Sequence, residues 1–118
     1  MRRIIVTLLA ALASVAHADI LDNAGSWRRE APESYRLGFV AAEVTDLTVF
    51  EDTTNPHARE LRMGFGKCLG EQRMDTLVGV VDAYLDKNAV ANTYPPVAAV
   101  RAALHDMCQT YLPQPSKK

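Results

Sequence analysis

The chain has 118 residues, with 13 basic and 14 acidic side chains and a formal net charge of −1. That length holds one small domain, and an apolar share of 48% is ordinary for a globular protein. With no basic excess, affinity for nucleic acid or for acidic lipid surfaces finds no support in the composition.

Residues 1–18 read as a secretory signal peptide. Arg2 and Arg3 form the positive start, Ile4 to Val15 the apolar run, and Ala16-His17-Ala18 the small-x-small cleavage pattern. The run is too short for a membrane anchor, and no later stretch reaches the roughly 18 apolar residues that a spanning helix needs. The expected mature chain starts at Asp19 and is exported. Its helical domain covers 19–112, and residues 113–118 read as a disordered C-terminal tail.

Trp27, between Arg28 and Arg29, is the one tryptophan. In a small helical domain such a residue serves as a core lid more often than as an exposed anchor. Behind Pro32, the residues Tyr35, Phe39, Val40, Val44 and Leu47 recur at helical spacing and predict a first long helix from Glu33 to about Phe50. Residues 51–66 carry Asn55-Pro56, several charges and Gly64 and Gly66. They predict a long irregular connection with one short helical turn around Ala58 to Met63. From Glu71 to about Asn88, Met74, Leu77, Val78, Val81, Tyr84 and Leu85 lie on one helical face and predict a second helix. Asn92, Thr93 and Tyr94 turn into Pro95-Pro96, and a third helix with the stripe Val97, Val100, Leu104, Met107 and Tyr111 runs to about Leu112, where Pro113 stops it.

Cys68 and Cys108 are an even count in an oxidising compartment, most simply read as one disulfide. It would pin the end of the third helix against the start of the second. A zinc site would need His57 and His105 as well, and no pair of ligands has the close spacing that marks one. No metal and no cofactor are expected. The fold class is therefore all-α, a small helical bundle of three to five helices with one disulfide.

Tyr35-Arg36-Leu37-Gly38-Phe39-Val40, Lys67-Cys68-Leu69-Gly70, Leu77-Val78-Gly79-Val80-Val81-Asp82-Ala83-Tyr84-Leu85, and Val100-Arg101-Ala102-Ala103-Leu104 with Cys108 stand in an informative order. In that order and spacing, over roughly residues 33–108, the chain resembles the Rap/Tai family of type VI secretion immunity proteins. The resemblance implies a periplasmic protein that binds and occludes a secreted hydrolase toxin, commonly a peptidoglycan amidase, and that acts as a homodimer. The predicted inserting element is the 51–66 loop, through Glu51, Asp52, Thr53, Thr54, Asn55, His57 and Arg59, with the Asn92 to Pro96 turn as second choice.

Catalysis finds little footing. His57 and Glu60 read as a solvated pair, and oxidised cysteines supply no nucleophile. Gly64-Phe65-Gly66-Lys67-Cys68 has the wrong spacing for a phosphate loop and reads as a turn before the second helix. The expected protein is not an enzyme. Two further readings are a small envelope protein of the same fold without a toxin partner and an acid-stress periplasmic chaperone.

Overall fold

The computed structural model describes residues 22–49 and 54–114. Among them are five α-helices and no strand: α1 (Ala24–Glu30), α2 (Glu33–Thr48), α3 (Pro56–Leu69), α4 (Met74–Lys87) and α5 (Pro96–Cys108). A 3₁₀ segment (Ala89–Thr93) joins α4 to α5, and a second (Gln109–Tyr111) follows α5. The all-α expectation with one disulfide holds. The signal-peptide residues and residues 115–118 of the tail lie outside the described residues. Where the tail begins, the Gln114 side chain donates to the Gln109 and Leu112 carbonyls at 3.0 and 3.2 Å.

The largest departure from expectation is α3. Residues 56–66 are the first three turns of a 14-residue helix rather than a loop. Asn55 and Pro56, read as turn residues, are its start signal: Asn55 Oδ1 accepts from the His57 and Ala58 amides, and proline sits where its missing N–H costs nothing. Burial then overrides the two glycines, since Phe65, Cys68 and Leu69 join the core and Leu61 packs against it. Gly64 is required by contact. A Cβ there would lie 2.4 Å from the Tyr111 carbonyl oxygen, because the chain after α5 crosses directly over it. Gly66 faces open space.

This helix also relocates the bridge. Cys68 lies on the last turn of α3 rather than at the start of the next helix, so the Cys68–Cys108 bond (S–S 2.03 Å) ties the C-terminal end of α3 to that of α5. Both cysteines are buried. The predicted first helix ends at Thr48, the second spans Met74–Lys87, and the third stops at Cys108, with Gln109–Tyr111 tightening into 3₁₀. A short helix before Pro32, α1, has no apolar periodicity to announce it and is held by one residue. Trp27 is fully buried, its ring 5.5 Å from that of Phe39 on α2, and Asn23 caps the helix by accepting from the Ser26 amide at 2.8 Å. The core-lid reading of Trp27 stands.

The core is one cluster in which Trp27, Val40, Leu77, Val81, Leu85, Val100 and Leu104 are fully enclosed or nearly so. Around it, charges fasten helices to one another. Arg28 on α1 bonds Asp86 of α4 at 2.6 Å and lies 3.3 Å from Asp82, which Arg36 of α2 approaches at 3.6 Å. The Asp82 contact is an ion pair without hydrogen-bond alignment, since Asp82 Oδ1 accepts no hydrogen bond. The Arg28 bond holds the Asp86 carboxyl below the usual carboxylate range.

Two outcomes test this account. The bridge closes a loop of 40 residues' separation, and in the chain-entropy model such a loop contributes about 4 kcal/mol. The Cys68→Ala/Cys108→Ala double variant should therefore melt roughly 15–30 °C lower, measured by circular dichroism; an unchanged melting temperature would remove the clamp from the account. Gly64→Ala should destabilise by about 1–3 kcal/mol through the clash with Tyr111. Gly66→Ala should stabilise α3 by up to about 1 kcal/mol. Equal effects in urea denaturation would mean the crossing over Gly64 is wrong.

Candidate functional site

Two depressions adjoin α3, and Pro113 lines both. The larger, about 520 Å³, lies between the C-terminal part of α2, the N-terminal half of α3, and α5. Its apolar walls are Leu47, Leu61 and Phe65, and its polar lining is His57, Arg101, His105 and Gln114. The helical repeat explains the convergence: His57, Leu61 and Phe65 are four apart on α3, and Arg101 and His105 four apart on α5, so each set forms one row. Phe65 and His105 meet edge to face across the cleft, with ring centroids 6.2 Å apart. Both imidazoles remain exposed.

The cleft's wall is fixed electrostatically. Arg101 donates from Nε to Glu43 Oε2 at 2.7 Å and from a terminal nitrogen to Asp46, both on α2. The Glu43 bond raises the guanidinium's pKa above its ordinary value, against the opposing pull of partial burial. Arg101 is thus a strut between α2 and α5, with two of its nitrogens donating to carboxylates of the protein itself. His57 sits at the positive end of the α3 dipole, and the first turn of that helix carries no acidic residue.

The predicted partner-binding residues divide in this structure. Glu51, Asp52 and Thr53 lie outside the described residues. Thr54 and Asn55 are exposed, but the Asn55 side-chain oxygen is occupied in capping α3. His57 and Arg59 are exposed on the first turn of α3, and His57 reaches into the cleft. His57 and Glu60 do not form a shared site: His57 lines the larger depression and Glu60 the smaller one. His105, weighed earlier only as a zinc ligand, instead stands across the cleft with Phe65, and both cysteines are consumed by their bond.

The second-choice turn, Asn92 to Pro96, is largely a structural joint. The Asn92 amide donates to the Leu85 and Ala89 carbonyls, the Thr93 hydroxyl donates to the Val90 carbonyl, and the Tyr94 carbonyl accepts from the Ala24 amide at 2.8 Å. It ties α1 to the α4–α5 corner.

Sequence reasoning missed Leu61, Phe65 and Arg101 as site residues. For the first two a signal was present, because Leu61, Phe65, Cys68 and Leu69 follow helical spacing behind an Asn-Pro start. For Arg101 none was, since its partners lie 58 and 55 residues away in the chain.

Comparison with known proteins adds no relative: no family model, no curated protein and no solved structure matches this chain.

Replacing Arg101 by Met should cost about 1 kcal/mol at low salt, because Glu43 and Asp46 would face each other on α2 without their counter-ion. The loss should shrink at about 1 M salt, where surface charges are screened within a few ångströms. A loss independent of salt in urea titrations would show that packing, not charge, holds α2 to α5 here.

Proposed function

We propose that this protein is a periplasmic binding protein of the immunity type, which seats part of a secreted cell-wall hydrolase against the α2–α3–α5 cleft and so keeps the enzyme's own active site covered. A peptidoglycan amidase is the expected partner, by the resemblance to the Rap/Tai family. The protein contributes shape and polar contacts rather than reaction chemistry.

The observation that carries this reading is the convergence of His57, the one described residue among those named for partner contact that lines the cleft, with His105 and the Arg101 strut around an apolar floor. Such a surface combines the apolar anchor site and the polar rim that stable protein contacts use. The stiffness behind it also favours binding. α3 and α5 are joined covalently at one end, α2 and α5 by Arg101, so little conformational freedom is lost on docking. A disulfide and the absence, among the described residues, of any helix able to cross a membrane accord with a protein working outside the cytoplasm.

Periplasmic co-expression with a secreted peptidoglycan amidase encoded beside this gene is the test: the host cell should be protected, and the two proteins should co-purify. The His57→Glu/His105→Glu double variant should weaken the complex at least about tenfold with its melting temperature kept. Lys87→Ser, on α4 outside the cleft, should change nothing. Absence of both protection and complex overturns the reading. A complex indifferent to the two histidines moves the contact off the cleft.

A further inference from the structure

Among the described residues, no acidic side chain lines the cleft between α2, α3 and α5, although 14 of the chain's 118 residues are acidic. The smaller depression, about 290 Å³, differs in holding one residue of each sign, Glu60 and Lys67. Glu43 and Asp46 stand behind the cleft's wall, bonded to Arg101, and are not part of the lining. Arg59, Glu60 and Asp106, close to the imidazoles in sequence, are exposed and also lie outside it.

A group entering the cleft therefore meets donors. An imidazole offers at least one N–H in every protonation state and tautomer. Glu43 and Asp46 together outweigh the charge of Arg101, so His57 and His105 are the groups through which a carboxylate is attracted. Gln114 adds no donor, because its amide nitrogen already donates to the Gln109 and Leu112 carbonyls.

The rest of the lining selects for a ring. At about 520 Å³ the cleft falls within the roughly 300–1,000 Å³ of ordinary ligand sites, which gives room for an aromatic side chain. Leu47 and Phe65 are buried, so they form a floor rather than a broad contact. The accessible surfaces are flat ones: two exposed imidazoles and the Arg101 side chain, which is 40% exposed. A guanidinium stacks on an aromatic face, and the edge-to-face contact of Phe65 with His105 shows the imidazole already packing against a ring.

We propose that the cleft is a socket for an aromatic side chain of the partner, flanked in the partner's chain by an aspartate or glutamate whose carboxylate bonds to His57 and His105. This rests on the reading that a protein partner docks at the cleft, and it names the chemistry of the docking segment. The ring supplies the buried anchor. The carboxylate fixes its direction, through hydrogen bonds stronger than those between neutral groups.

Three capped dipeptides test this on the mature, oxidised chain without the hydrolase: acetyl-Phe-Asp-amide, its neutral isostere acetyl-Phe-Asn-amide, and acetyl-Ala-Asp-amide. Binding is followed by NMR at the side chains of His57, His105 and Phe65. The first peptide should bind saturably with a Kd on the order of 1 mM, at least about fivefold tighter than either of the others. His57→Leu/His105→Leu should lose the preference for Asp over Asn, and His57→Arg/His105→Arg should keep it, both with the melting temperature retained. General disturbance of the cleft cannot produce that contrast. Absence of saturable binding, equal affinity for the Asp and Asn peptides, or equal affinity for the Phe and Ala peptides overturns the inference. So does a preference that appears only after residues 115–118 are removed, which gives the cleft to the chain's own tail. The same shifts on concentrating the protein alone also overturn it, by giving the cleft to a second copy. Failure of the proposed function reads differently, as absence of protection and of a complex with the hydrolase; a complex that forms while the peptides show no preference removes this inference alone.

Discussion

The covalent tie between Cys68 and Cys108 is the constraint from which the architecture around α3 follows. It holds the C-terminal ends of α3 and α5 together, so the chain leaving α5 has to turn back across α3 within a few residues. The crossing brings the Tyr111 carbonyl against Gly64, where a side chain would not fit. It also carries Pro113 to the edge of both depressions and Gln114 to the edge of the cleft. One bond thus sets the path of the C-terminal segment and, through it, the rims of both depressions.

The second level is electrostatic and works between helices rather than within them. Arg28 and Arg36 converge on the carboxylates of α4, and Arg101 of α5 reaches two carboxylates of α2. These pairs are partly exposed, so each contributes modestly to stability. Their larger effect is positional. Apolar burial is non-directional and would tolerate a small rotation of α2 against α5, whereas Arg101 accepts only a narrow range of placements for Glu43 and Asp46. The cleft inherits its width from that restriction.

α3 borders both depressions. Its apolar stripe, from Leu61 to Leu69, anchors it in the core. His57 continues that row at the start of the helix and lines the cleft proposed to bind a hydrolase. Glu60, Met63 and Lys67 line the smaller depression.

Much of this was legible in the residues alone. The helical class, the α2, α4 and α5 segments, the burial of Trp27 and the pairing of the cysteines follow from periodicity, turn chemistry and an even thiol count, all of which act over a few residues or on composition. The nature of 56–69 was not, because local preference and tertiary burial disagree there: two glycines and Asn-Pro argue for a loop, and the helix forms because its stripe has a core to enter and Gly64 has a chain passing over it. The cleft was beyond local reading for the same reason. His57 is distant in sequence from Arg101 and His105, and only the packing of α2, α3 and α5 brings them to one surface; the sequence determined which helices could form, and the tertiary structure decided which of their faces meet.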